Sequence, residues 1–184
     1  IARVHPVRYI DALEGAFAET RDDQIVQLDP DTFLSSASRE ACYRGAGAVV
    51  AAVDAVMGGE DDIAFCAVRP PGHHATSTRA MGFCLVNNVA VTAAHLAERG
   101  ERVAIVDYDA HHGNGTQDVF YRDDRVLYVS LHEYPLYPGT GAVTSCAAIA
   151  ASGSVGSACM ASPNASSRAN TSSPACAAIC DRTT

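Results

Sequence analysis

The order of apolar and polar segments predicts an α/β fold built on a parallel sheet flanked by helices, and three observations lead there. Three apolar runs of strand length, residues 63–68, 103–106 and 126–130, are separated by stretches with helical periodicity, as parallel βαβ units require. The second run, Val103-Ala104-Ile105-Val106, is apolar at every position, as a strand covered on both faces should be. Each run also empties into unusual polar residues: His73 and His74 after the first, Asp107 to His112 after the second, Ser130 and His132 after the third. Ligands of open parallel sheets bind beyond the carboxyl ends of the strands, so these side chains should converge on one edge.

Taken in order, residues 7–17 carry Tyr9, Ile10, Leu13 and Phe17 at helical spacing. A polar connector follows, turn-rich at Leu28-Asp29-Pro30-Asp31-Thr32. Ser38 is the expected N-cap of a helix to Met57, with Ala41, Gly45, Ala48, Val49, Ala52, Val53 and Val56 on its apolar face and Gly58-Gly59 ending it. The strand at 63–68 is stopped by Pro70 and Pro71, and Gly72 frees the chain to present the tandem His73-His74. A helix at 87–99 buries Val89, Ala90, Ala93 and Leu96 and stops at Gly100, with His95 in a structural place. After the 103–106 strand come a helical turn at 116–121, the third strand, and a loop rich in Tyr, Pro and Gly at 134–141.

The 184 residues carry a formal charge of −8, and all 13 basic residues are Arg without a basic stripe, which argues against nucleic acid as a partner. No apolar run approaches the roughly 20 residues of a membrane span. The chain starts at Ile1 without a basic-then-apolar leader, so we expect a piece of a longer, cytoplasmic protein. Cys42, Cys66 and Cys84 sit in apolar segments as small core residues. Residues 144–184 differ from the rest: dominated by Ala, Ser, Thr and Cys, they lack aromatics and carry only Arg168, Asp181 and Arg182 as charges. Such a stretch has little to bury, and we expect a disordered or frameshifted tail behind a partial catalytic domain at 1–143. Cys176 and Cys180 have no partners at zinc-site spacing.

Asp107, Asp109 and His111 alternate, so an extended backbone would put all three on one face, with Asp109 and His111 able to reach one divalent cation. Mixed oxygen and nitrogen donors suit zinc, although a catalytic zinc usually has three protein ligands. Gly113 and Gly115 are expected to turn the chain sharply away and leave the site open. Hydrolysis beside such a metal needs a base and an acid, for which His73 and His74 are the candidates. Asp107 and Asn114 are placed to back them, and one being acidic and the other neutral would set the two imidazoles apart in basicity.

These residues closely resemble the zinc-dependent histone deacetylase family, including bacterial class II-like histone deacetylase-like amidohydrolases and acetylpolyamine amidohydrolases. The motifs are RPPGHHA at 69–75, GFCxxNN at 82–88, DxDxHHGNGTQ at 107–117, SLH at 130–132 and YPGTG at 137–141. The resemblance covers 1–143, the N-terminal part of the family's catalytic domain, and implies an incomplete arginase-deacetylase fold. It implies Asp109 and His111 as Zn2+ ligands, His73 and His74 as the base and acid pair, and Asp107 and Asn114 behind them. It further implies structural K+ near Asp107, Ser130 and Leu131, with backbone of Asp109 and His111, and a second monovalent site around Phe120, Asp123 and Val126. Gly82, Phe83 and Tyr137 would line a tunnel for an acetylated lysine or polyamine. The family's third zinc ligand and oxyanion Tyr have no counterpart here, so the resemblance implies a deacetylase that is truncated and weakly active or inactive in this form. Two alternatives remain: a non-catalytic ligand-binding or interaction module that keeps the pocket, and an arginase-like binuclear manganese hydrolase. Oligomeric state has no signal in the sequence.

Overall fold

The structure, a computed structural model, describes residues 1–142 and the backbone of the strand Ser157–Met160. The expected tail at 144–184, with Cys176 and Cys180, otherwise lies outside the described residues.

Helix α1, Val7–Glu19, buries Tyr9, Leu13 and Phe17, the four-residue spacing that stacks side chains on one face. The polar connector after it is an antiparallel hairpin, β1 (Val26–Asp29) and β2 (Thr32–Leu34), turned by Pro30-Asp31. This element was missed in the sequence because each strand is only three or four residues long. Helix α2, Ser38–Met57, has the expected span, but Ser38 is its first residue and not its cap: Ser38 Oγ accepts from the Ser35 N–H at 2.9 Å. Its buried face is Cys42, Gly45, Ala46, Val49 and Val53, while Ala48 faces solvent.

The expected first strand, residues 63–68, does not form among the described residues. The segment has no regular structure and pairs with no neighbouring strand among the described residues. A short apolar run becomes a strand only when its backbone finds a ladder, and this one finds helix α2 instead. Cys66 Sγ reaches Ala48 O, and Val68 lies beside Gly45. Ile63 and Phe65, on the other side of the segment, are each 84% exposed.

Helix α3, Asn88–Glu98, packs between α2 and the sheet and is buried on nearly every side by small residues, Ala90, Ala93 and Ala97 among them. Its cap is Asn87, whose side-chain oxygen accepts from the Ala90 N–H at 2.9 Å. Strand β3, Val103–Asp107, runs parallel to β4, Val126–His132, through the short helix α4, Asn114–Phe120, so one βαβ unit stands as expected. The last strand, β5 (Ser157–Met160), pairs antiparallel with β4 at the backbone.

Among the described residues, the two principal strands are covered on one face only. Val103, Ile105, Val126 and Tyr128 enter the main core with α3 and Phe120. On the opposite face Val106, Leu127 and Leu131 are 37–44% exposed. A second cluster, from Tyr9 and Phe17 to Leu85 and Val86, joins α1, the hairpin and α2.

Candidate active site

Two loops carry the site, and backbone contacts hold them together. The N–H groups of Gly115 and Thr116, at the start of α4, both donate to the carbonyl of His73, at 2.9 and 3.1 Å. Asn87 adds a second tie, its amide donating to Ala75 O at 3.2 Å and to Thr116 Oγ1 at 3.1 Å. Such close packing explains the glycines differently from the sequence reading. Neither Gly113 nor Gly115 has a left-handed backbone; what matters is that each lacks a side chain. A Cβ on Gly115 would lie 2.2 Å from Ala75 O, and one on Gly113 would lie 2.2 Å from Asp107 Oδ2 and 2.3 Å from the Tyr128 hydroxyl.

The carboxyl end of β3 delivers Asp107 and then Asp109, both buried, with exposed Tyr108 between them, so strand alternation persists past the last paired residue. His73 Nδ1 lies 3.0 Å from Asp107 Oδ2 and donates to it, because a carboxylate only accepts. Asp107 Oδ1 accepts from the Asp109 N–H at 3.2 Å. His74 Nδ1 lies 2.8 Å from Asn114 Oδ1. The two rings stand 4.0 Å apart, one backed by a carboxylate and the other by a neutral amide. Burial, then the neighbouring His73, pushes His74 down to about 4.

Asp109 and His111 meet, as the spacing predicts: His111 Nδ1 lies 3.0 Å from Asp109 Oδ1, which also accepts the His111 N–H at 2.8 Å. Asp109 Oδ1 and His111 Nδ1 thus lie within hydrogen-bond distance of each other, one oxygen and one nitrogen of the types a zinc site uses. Among the described residues no third His, Cys, Asp or Glu joins them.

Tyr137 stands edge-on to His74, ring centroids 5.0 Å apart, and 6.4 Å from His111. Burial, then Asp31, pushes its phenol up to about 12, so it stays protonated at neutral pH. Gly82 has a left-handed φ of 58° and lies against His74, where a Cβ would come within 2.4 Å of the ring. Phe83 is also left-handed (φ 64°) and 60% exposed beside it. Ser130 and Asp107 are register partners across β3 and β4, and both are buried; Leu131, next in β4, is exposed. Ser130 Oγ also lies 2.9 Å from His132 Nδ1. Phe120 O and Asp123 O accept the N–H groups of Asp123 and Val126 in the turn after α4.

Three participants were not singled out in the sequence. Tyr128 looks like a core strand residue, yet its hydroxyl donates to Asp107 Oδ2. Thr140 bonds His112 Nδ1 at 2.8 Å. His5 is fully buried, its Nε2 accepting from the Asn87 N–H at 3.0 Å and its Nδ1 bonding Ser77 O at 3.2 Å. Only the tandem His and the Asp-x-Asp-x-His pattern announce chemistry by type and spacing; these three do so by contact.

The histone deacetylase domain pattern matches residues 1–173. The chain belongs to the histone deacetylase domain family. A probable deacetylase of Archaeoglobus fulgidus is 43% identical over 147 residues, 79% of this chain and 40% of that protein. A histone deacetylase-like amidohydrolase of Pseudomonas aeruginosa is 43% identical over 140 residues, 75% of this chain and 36% of that one. The crystal structure of the HDA15 HD domain superposes with a TM-score of 0.71 at 40% identity, over 76% of this chain and 39% of that one. The fold is therefore the arginase-deacetylase α/β fold expected from the motifs. The chain spans about two-fifths or less of the length of these relatives. The family is generally metal-dependent, and the relatives are hydrolases by name, acting as deacetylases and amidohydrolases.

Proposed function

We propose that this chain carries the metal and proton-transfer half of a zinc-dependent deacetylase site that hydrolyses an acetylated amine, a lysine or a polyamine. The observation that carries the reading is the meeting of five side chains at one spot. His74 stands between its Asn114 partner and the ring of Tyr137, with the Asp109–His111 pair on the same side.

Asp109 and His111 would hold the metal, which when bound supplies Lewis-acid polarisation of the amide carbonyl. His74 donates Nδ1–H to Asn114, which leaves the lone pair on Nε2. A group pushed down to about 4 is neutral at pH 7, so the Nε2 lone pair of His74 is free of a proton and would serve as the base toward attacking water. His73, with the Asp107 carboxylate behind it, is the imidazole whose cation is stabilised, and it serves the departing amine as the acid. Gly82, Phe83 and Tyr137 would line a channel for a neutral acetylated side chain, a reading supported by the Tyr137 ring edge-on to His74 and by the close approach of Gly82 to it. Asp107 and Ser130, with backbone carbonyls of Asp109, His111 and Leu131, would hold a structural potassium ion where β3 and β4 end. The second monovalent site falls to backbone around Phe120, Asp123 and Val126.

The test offers the zinc-loaded chain an acetyl-lysine peptide and an acetylated polyamine and measures acetate release, alongside binding of a hydroxamate. Release that His74→Asn abolishes supports the reading. Hydroxamate binding without release favours the ligand-binding module. Two metals per chain would favour the arginase-like reading, and neither binding nor release sinks all three.

A further inference from the structure

We propose that Tyr128 is a positioning residue for the proton-transfer pair, its hydroxyl holding the Asp107 carboxylate in the orientation that fixes His73 in its Nδ1–H form. The inference rests on the reading of His73 and Asp107 above and extends it to a residue one strand away.

Tyr128 sits in β4, paired in register with Ile105 of β3, two positions before Asp107. Its side chain is fully buried, and the hydroxyl lies 2.9 Å from Asp107 Oδ2 and 3.0 Å from Gly113 O. Asp107 Oδ2 is also the atom that His73 Nδ1 reaches. Two hydrogen-bond donors therefore meet at one carboxylate oxygen, sealed from above by Gly113, where a Cβ would strike Oδ2, the hydroxyl and, at 3.1 Å, His73 Nδ1. With Oδ1 tied to the Asp109 N–H, the carboxylate is clamped at both oxygens and cannot rotate without breaking one bond. A bulky Tyr between two apolar neighbours in a central strand would satisfy packing with Phe or Leu. The hydroxyl, aimed at the orienting carboxylate of an imidazole, is the part that packing does not require.

The experiment reads the His73 ring by 15N-edited NMR in the full chain at pH 8, comparing wild type with Tyr128→Phe, Asp107→Asn and the destabilising core control Leu96→Ala. We expect one tautomer, protonated at Nδ1, in wild type and in Leu96→Ala, and a mixture of both tautomers in Tyr128→Phe. A wild-type pattern in Tyr128→Phe beside a changed Asp107→Asn overturns the role of Tyr128 and leaves the His73–Asp107 pair standing. An unchanged pattern in both variants removes the pair and the positioning role together. Should Tyr128→Phe fail to fold, 3-fluorotyrosine at position 128 keeps the hydroxyl and makes it a stronger donor. Competition for Oδ2 then moves the His73 Nδ1–H resonance upfield, and no movement overturns the proposal.

Discussion

Asn114 presents its amide oxygen to His74 Nδ1 at 2.8 Å, behind a ring that burial pushes down to about 4. A neutral amide orients the ring and stabilises its cation less than a carboxylate would, so the partner sets both tautomer and basicity. Asn114→Asp replaces the amide with an anion and should raise the His74 midpoint by a unit or more in a ring-proton titration. A midpoint that stays near 4 would show that Asn114 does not tune this ring.

His5, His74 and His112 are all pushed down to about 4, each chiefly by burial. A histidine whose folded midpoint lies below the unfolded value of about 6.5 stabilises the fold fully above 6.5. That stability drains as pH falls toward 4, because the unfolded chain takes up the proton first. Each should cost about 2 kcal/mol between pH 7.5 and pH 5. Urea unfolding should therefore shift steeply to lower midpoints below pH 6.5. His5→Asn, which removes one of the three, should flatten the slope.

Two glycine substitutions should move stability in opposite directions. Gly47 lies in α2 with nothing within 4 Å of an added Cβ, so Gly47→Ala should stabilise the helix by about 1 kcal/mol. Gly115→Ala drives a methyl group into Ala75 O, at 2.2 Å, and should cost about 3 kcal/mol or separate the two site loops. Thermal unfolding of both variants checks the pair.

The 63–68 segment and the uncovered sheet face should govern solubility. Ile63 and Phe65 are 84% exposed, and Val106, Leu127 and Leu131 are partly so. Unpaired backbone with apolar side chains invites association. Ile63→Lys with Phe65→Lys should lower light scattering and dye binding and leave the unfolding midpoint within about 0.5 kcal/mol of wild type.

How much of this was legible in the sequence depended on whether a residue acts locally or through the fold. Helices α1, α2 and α3 were readable because apolar spacing and glycine stops are local signals. The Asp109–His111 pairing was readable because alternation carries past the end of β3. The 63–68 strand misled, since a strand is decided by a neighbour and the nearest element there is α2. Ser38 has the right chemistry for a cap but lies one residue inside the helix. Gly113 and Gly115 were rightly marked as special, for the wrong reason: close approach of Asp107 and Ala75, not backbone handedness. Tyr128 and His5 were invisible, because what they do lies in hydrogen bonds to residues 21 and 82 positions away.

The most direct measurement of the central claim follows the 15N resonances of all seven histidines as zinc ions are added. The account predicts that His111 moves first, at Nδ1, and that Asp109→Asn abolishes this movement. First movement at His95 or His132, or a His111 response indifferent to Asp109→Asn, would contradict it.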